Sequence, residues 1–583
     1  MLGRGGDPAT LGPMQLIPEG SARTATAGQP ASAAAARPAA APGALPLRWA
    51  LPAAAAGGLT LAGAFPPVGV WPLAGVGPAV LALTLYRQRL RASFVIGLAF
   101  GVAFFVPLIS WLINVAWYAW GALALAEAVI FGLLCIGQRL LLRLPGWPVA
   151  VACWWVAAEA MRARWPYAFP WGRLAMSQAG SPAAHWAAIG GPPLLTFVVA
   201  LAGATVAWAV LATLARRPRT AWRLIPAGLA AAGAAGLALG GALLPVDQAG
   251  PGQRTAVVAA IQGDVPHARS IPDLLRASTV TQNHAAATDA LAAQVTAGRK
   301  PAPDLIVWPE NSTDLDPALY PPIYATIRSA VQTIDRPVLV GALLENPLRN
   351  TGQLWLPGRG PVATYVKRQL VPFGEYIPFR GLLRHITSLV NLQPVNFTAG
   401  HKAVVFHTGR IRLGDVICYE VGFDGLVRSE VTAGANLLAV QSNDATFEVD
   451  GQSGESTQQV AMARIQAITS DRAVVYASTT GESAIISPAG GVLARSGLWQ
   501  RAELDARVPL RTGLTLADRL GGWPEAVLTG LAIAALGLAI GLTVRDRRAG
   551  RDGGPRTAAP DGGESASSSG GSTAAAGGGT AHN

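Results

Sequence analysis

Three polar side chains stand at the ends of apolar runs, and their types are those that covalent catalysis at a carbonyl needs. They are Glu310 in "DLIVWPENS", Lys367 in "ATYVKRQLVPFGEY" and Cys418 in "RIRLGDVICYE". A thiol is mostly protonated at neutral pH, so a cysteine nucleophile needs a base or a nearby cation to become a thiolate. Glu310 can supply the base. Lys367 can stabilise the thiolate and then the oxyanion of a tetrahedral intermediate, with the backbone N–H of Tyr419 as a second donor. Each residue alone also fits a plainer role: a small buried residue, a carboxylate at a helix start, a surface lysine. A Cys–His pair is the other arrangement available, using His385, His401 or His407, but none of these has a neighbourhood that sets it apart from a solvated loop position.

These residues fall within 246–521, where short strand-like runs such as "RTAVVAAIQ", "PVLVGAL", "NLLAVQSN" and "AVVYAST" alternate with helix-compatible stretches at 272–297, 317–334 and 455–471. Near-continuously apolar strands between helices predict an α/β domain whose sheets are covered on their faces. About 260 residues suffice for a core of its own.

The rest of the chain is different in kind. Over 583 residues, 51% are hydrophobic and only 13% charged, which is too apolar for an ordinary soluble enzyme. Apolar segments near 46–65, 67–86, 92–115, 118–142, 147–162, 188–214, 222–245 and 522–544 approach the roughly 20 residues that cross a bilayer. The fifth is short and carries Glu159, so an interfacial or buried helix is its alternative. Arginines follow segments two, four, six and eight, whereas "NVAWYAWG" after segment three has no charge. By the positive-inside rule this predicts eight spans with both termini in the cytoplasm and 246–521 on the outer face. Arg162, Arg164 and Arg173 break the pattern and belong either to headgroup contacts or to a folded loop.

The Ala-, Gly- and Pro-rich residues 1–45 and the end of the chain beyond 545 read as disordered tails. The predicted domains are therefore 1–45 (tail), 46–245 (seven transmembrane helices), 246–521 (catalytic domain), 522–544 (eighth transmembrane helix) and 545–583 (cytoplasmic tail). The net charge of +12 comes from arginines beside apolar segments rather than from a basic patch interleaved with aromatics, which argues against nucleic acid. Three cysteines without CxxC or His-rich surroundings argue against a disulfide framework and a metal site.

"DLIVWPENS", "KRQLVPFGEYIPF", "GDVICYE", "QSNDATF" and "ARIQAITSDRAVVYASTTGESAIISPAGGVLA" together resemble the nitrilase-superfamily domain of the apolipoprotein N-acyltransferases. "AFPPVGVWPLA", "GLAFGVAFFVPLISWL" and "FPWGRLAMSQAGSP" resemble that family's membrane part, so the likeness covers roughly residues 46–545. It implies an αββα sandwich and a Glu–Lys–Cys triad of Glu310, Lys367 and Cys418. It also implies supporting roles for Glu375, Tyr419 and Glu420; the physical reading of the two glutamates is that they position Lys367 and shape an acyl pocket. The implied reaction needs no cofactor or metal. It moves an acyl chain from a phospholipid, through a cysteine thioester, to the α-amine of a diacylglyceryl-modified cysteine at a lipoprotein's N-terminus. The implied setting is the bacterial cytoplasmic membrane, with a monomeric enzyme. A membrane-tethered nitrilase-like amidase, passing the acyl group to water, is the alternative.

Two departures from the family pattern stand out: no tryptophan follows "IQG", and Thr446 takes an aromatic position in "NDATFEVDG". These changes bear on acyl-chain contacts and leave the triad intact. "RSIPDLLRAS" and "FEVDGQSGES" are candidate flaps, and Phe373, Tyr376, Ile377 and Phe379 either form a lipid-facing arm or pack in the core.

Overall fold

The computed structural model of the protein describes residues 43–215, 224–246, 253–266, 273–385, 391, 394–447 and 454–552. Helices form at all eight apolar segments: α1 (Leu47–Ala62), α2 (Leu73–Leu85), α3 (Leu90–Leu108), α4 (Trp117–Leu141), α5 (Trp147–Arg162), α6 (Ala187–Ala215), α7 (Leu224–Gly240) and, at the far end, α14 (Trp523–Asp552). Among the described residues, four helical stretches are long and apolar enough to cross a membrane: 90–108, 117–141, 182–214 and 523–548. The others fall short of the roughly 20 residues required. In α2 the cause is visible, because the prolines of "FPPVGVWP" cannot donate to a helical ladder and delay the helix to Leu73. Segment eight differs in the other direction, since α14 continues past residue 544 to Asp552. Residues 1–42 and 553–583, with most of both expected tails, lie outside the described residues, as do parts of the two candidate flaps.

The predicted α/β domain consists of two six-stranded sheets. The first joins β1 (Thr255–Gln262), β2 (Leu305–Val307), β3 (Val338–Leu344), β4 (Arg349–Leu356), β5 (Gly360–Val366) and β12 (Ala502–Pro509), in the order β12-β1-β2-β3-β4-β5. The second joins β6 (Val405–Thr408), β7 (Ile411–Ile417), β8 (Leu437–Ser442), β9 (Val474–Ser478), β10 (Ala484–Ile486) and β11 (Val492–Arg495), in the order β11-β10-β9-β8-β7-β6.

Alternation along each strand feeds two cores. Val258, Val307, Leu339, Leu413, Ile417 and Val475 meet between the sheets. On the outer face of the first sheet, Ile306, Val338 and Val340 pack under α8 (Asp273–Thr296) and α9 (Pro321–Ile334). On the outer face of the second, Val416, Val440 and Tyr476 pack with Val460 and Ile465 of α12 (Glu455–Ser470). This is a nitrilase-like αββα sandwich.

The third core does not end at α12. It continues into Phe104, Phe169, Trp171 and Leu174, so one cluster joins the second sheet to the apolar helices. Helix α12 is consequently buried on nearly every side, and its glutamines are matched rather than solvated. Gln458 donates to the carbonyls of Pro66 (3.1 Å) and Leu108 (2.9 Å) and accepts from the indoles of Trp111 (3.2 Å) and Trp171 (3.0 Å). Four bonds from one buried side chain fix the catalytic-domain helix to the ends of α1 and α3 and to the loop between α5 and α6.

Candidate active site

Each of the three predicted residues follows a strand. Glu310 lies three residues past β2, Lys367 directly past β5, and Cys418 directly past β7. The backbone N–H of Lys367 donates to Asn350 O (2.9 Å), extending the β4–β5 ladder by one residue. Its Nζ then reaches Glu310 Oε1 (2.8 Å) and Glu375 Oε1 (3.0 Å), and all three side chains are buried. An ammonium between two carboxylates replaces part of the hydration each loses on burial. Burial alone would lower the Lys367 pKa, but Glu310 and Glu375 outweigh it and hold the ammonium well above its ordinary value.

Cys418 begins a short 3₁₀ turn (Cys418–Gly422), with φ +53°. A left-handed backbone at a residue with a Cβ costs about 1–3 kcal/mol and persists only where the surroundings impose it. Glu420 is the imposing group. Its Oε2 accepts from Ile417 N (2.8 Å) and the Tyr365 hydroxyl (2.9 Å), and its Oε1 from Arg368 N (2.6 Å) and Gln369 N (3.0 Å). One carboxylate thereby ties the turn around Cys418 to the segment that follows Lys367. Glu420 acts on the backbones flanking both residues, whereas Glu375 touches the Lys367 ammonium itself.

Burial and the charge of Glu310 push the Cys418 thiol well above its ordinary value, against the opposing pull of Lys367. Both Glu310 and Lys367 thus act electrostatically on the sulfur, in opposite directions. Gln459 Nε2 of α12 donates to its Sγ (3.4 Å). The alternative partners His385, His401 and His407 are all exposed, away from this buried sulfur.

Several residues of the site went unpredicted. Asn350 on β4 donates from Nδ2 to Glu310 Oε1 (2.6 Å) and Glu375 Oε1 (2.9 Å), the same two oxygens that Lys367 Nζ reaches. Asn443 N, just past β8, donates to Glu310 Oε2 (3.0 Å). Gln459 on the thiol is the third. "QSNDATF" flagged the neighbourhood of Asn443, but nothing in "LRNTGQLWL" marks Asn350.

Tyr419 points the other way, into the membrane part. Its hydroxyl donates to Ala168 O (2.5 Å), and its ring stacks on Trp171 at 5.4 Å and 14°. Arg173 makes a bidentate pair with Asp424 (3.0 and 2.9 Å), and Arg162 pairs with Glu127, so two of the three arginines that broke the charge pattern are buried and paired, Arg162 at the end of α5 and Arg173 in the folded loop after it. Arg164 remains exposed. Of the four apolar residues of "VPFGEYIPF", Phe373 and Phe379 are exposed, Tyr376 is half-buried and Ile377 is buried.

The family models and the sequence relatives agree with this architecture. The N-terminal domain of apolipoprotein N-acyltransferase matches residues 57–205, and carbon-nitrogen hydrolase matches residues 257–513. The apolipoprotein N-acyltransferase of Mycolicibacterium smegmatis is 37% identical over 499 residues, covering 81% of this chain and 82% of the relative. That of Azotobacter vinelandii is 30% identical over 501 residues, covering 81% of this chain and 91% of the relative. Among solved structures, an amidase from Nesterenkonia sp. aligns with 44% of this chain and 91% of its own, at 18% identity and a TM-score of 0.33. With both domains matched in order and most of each relative covered, the chain belongs to the apolipoprotein N-acyltransferase family.

Proposed function

We propose that this enzyme transfers an acyl chain from a phospholipid to the α-amine of an S-diacylglyceryl-cysteine at a lipoprotein's N-terminus, with Glu310, Lys367 and Cys418 as the reacting triad. The observation that carries the reading is the ammonium of Lys367 held by two buried carboxylates beside a buried thiol. Because burial and the charge of Glu310 favour the protonated sulfur, attack is coupled to proton removal. Glu310 takes the thiol proton as the sulfur adds to the ester carbonyl. Lys367 and the Tyr419 N–H receive the oxyanion. The ester C–O bond then breaks, Glu310 returns the proton to the departing alkoxide, and a lysophospholipid leaves behind a thioester on Cys418.

In the second half the acceptor amine adds to the thioester and gives up a proton to Glu310. The C–S bond breaks, and the thiolate recovers that proton as the amide product leaves. A thioester retains acyl-transfer potential toward an amine, and the two halves make the kinetics ping-pong. Glu375 and Glu420 position Lys367 and the cysteine turn.

In this reading the catalytic domain, 246–521, lies on the outer face of the bacterial cytoplasmic membrane, and the arginine-rich loops lie on the inner. It is supported by the ends of α2, α4 and α14 meeting through their polar residues: Arg139 donates to Gln88 O (2.6 Å), and Arg143 bonds Thr543 (2.7 Å) and Asp546 (2.8 Å). The catalytic domain joins at the opposite ends of α7 and α14.

Incubating the purified enzyme with phospholipid and analysing tryptic peptides by mass spectrometry tests the first half. The Cys418 peptide should gain one fatty acyl mass, removable by hydroxylamine. An unmodified Cys418, or a Cys418→Ser variant that still N-acylates lipoproteins, refutes the assignment. Water as the final acceptor, with no acylated lipoprotein formed, would indicate an amidase-like hydrolase.

A further inference from the structure

A cavity of about 380 Å³ lies where the membrane helices meet the catalytic domain, and none of Glu310, Lys367, Glu375 or Cys418 lines it. Its walls come from the end of α5, the break in α6 at Gly190 and Gly191, helices α11 (Asp424–Thr432) and α13 (Leu516–Leu520), and the start of α14. This volume is in the range of small-molecule sites.

Its charges are unevenly matched. Arg173 is taken up by Asp424, and Arg164 by Glu525. Arg428 is different: its Nε donates to the Asp518 carbonyl (2.6 Å), and among the described residues it forms no ion pair with a carboxylate. Its guanidinium lies over Gly521, where an added Cβ would come within 2.8 Å of Cζ, so the glycine gives it room. Of the three carboxylates on the wall, Asp424 and Glu525 are taken by Arg173 and Arg164, and Asp518 accepts from Thr515 N (3.2 Å) as a helix cap while acting on Arg428 only at longer range, so the half-buried Arg428 guanidinium keeps hydrogen-bonding capacity for a phosphate.

The surroundings specify the source of that phosphate. Trp165 follows Arg164, and Trp523 precedes Glu525 by two residues; the two indoles are 64% and 70% exposed. Exposed tryptophans at helix ends mark the level of lipid headgroups. From there α14 presents Val527, Leu531 and Leu538, all exposed, as an apolar track of acyl-chain length.

We infer that this cavity is a second lipid site, holding the phosphodiester of an intact phospholipid against Arg428 while its chains lie along α14. The inference rests on the outer-face placement of the catalytic domain and of the start of α14 proposed above, and not on the triad. The occupant is not consumed, since none of the triad residues lines the cavity. Gly422 and Phe423 of the cysteine turn and Gln369 beyond Lys367 form part of the wall, so a resident lipid also braces the reacting segments from behind.

Native mass spectrometry of the full chain, titrated in detergent with a di-ether phosphatidylglycerol that cannot acylate the enzyme, tests this. The wild type and Cys418→Ala should retain the lipid equally. Arg428→Gln should weaken one binding event about tenfold or more, the loss of a charged hydrogen bond, and Arg428→Lys should restore most of it. If Arg428→Gln does not fold, Arg164→Gln at the exposed mouth should weaken the same event. Unchanged binding in the folded variant, equal binding of a dialkylglycerol lacking phosphate, or full competition by equimolar inorganic phosphate overturns the proposal. Loss of binding in Cys418→Ala also overturns it, by assigning the lipid to the reaction site. Acyl transfer is a separate readout, so a failed triad would leave these results standing.

Discussion

Asn350→Ala isolates the geometry on which the proposed chemistry depends. The Asn350 Oδ1 makes no hydrogen bond among the described residues, so the side chain acts there through Nδ2, on Glu310 and Glu375 at 2.6 and 2.9 Å. The backbone carbonyl that anchors Lys367 N survives the substitution. Hydrogen bonds to charged groups contribute about 1.5–3 kcal/mol each, and the low end applies because Lys367 still holds both carboxylates. Two such bonds amount to about 3 kcal/mol, or roughly a hundredfold in rate if the loss falls on the transition state. Single-turnover formation of the Cys418 thioester from a fluorescent phospholipid should therefore slow by about that factor, with the KM for the donor unchanged. A residue that merely filled space would lower the melting temperature and leave the rate of the folded fraction alone. A wild-type rate in folded Asn350→Ala would refute the argument that the two carboxylates are held as a pair for catalysis.

Glu310→Gln should separate reactivity from catalysis. The charge of Glu310 is the largest cause after burial of the raised Cys418 thiol pKa, so its removal should lower that pKa and speed alkylation by a small neutral reagent. Thioester formation should nevertheless fall about 10²- to 10⁴-fold for want of the base; if both rates rise together, Glu310 is not the base. Asp415 is fully buried in β7, its side-chain oxygens have no hydrogen-bond partner among the described residues, and burial followed by the charges of Glu420 and Glu430 raises its pKa well above the ordinary value. A carboxyl raised in the folded state stabilises fully below the unfolded value and progressively less as pH climbs above it, by up to about 1.4 kcal/mol per pH unit. Asp415→Asn should therefore melt higher than the wild type near pH 7, with the gap shrinking on acidification toward pH 4; a gap independent of pH would refute this. Arg173→Gln leaves Asp424 without its bidentate partner, and breaking a buried pair costs about 3–5 kcal/mol. The melting temperature and thioester formation should fall together, and an unchanged melting temperature would show that the loop does not brace the cysteine turn.

The parts of the site readable from sequence are those at which polarity interrupts an apolar strand. "DLIVWPE", "ATYVK" and "GDVICYE" announce both the strand and the residue that ends it. Strand β4 carries no such signal, because "RNTGQLWL" turns polar residues inward: Asn350 toward the two glutamates, and Gly352 against the second sheet, where a Cβ would lie 1.9 Å from Asp415 Oδ2. Its polarity reads as a turn until the partner groups are known. The edge strands β6 and β12 hid in the same way, with His407 exposed on β6 and charged residues alternating along β12. Helix α12 was legible as a helix, but its burial on nearly every side was not. Its glutamines look solvent-facing, and only the folded chain supplies the indoles and carbonyls that match Gln458.

That same helix explains why the chemistry and the membrane part cannot be treated as separable modules. One face of α12 packs on the second sheet and sends Gln459 to the nucleophile's sulfur; another sends Gln458 to Trp111, Trp171 and the carbonyls at the ends of two apolar helices. The cysteine turn is gripped from both directions as well, by Glu420 toward Lys367 and by Tyr419 toward Ala168 and Trp171. A left-handed residue at Cys418 needs surroundings that over-determine it, and half of those surroundings belong to the loop between α5 and α6. The helices therefore do more than tether a catalytic domain beside a bilayer. They complete the wall behind the nucleophile, so the isolated sandwich would lack the contacts that hold its own sulfur in place.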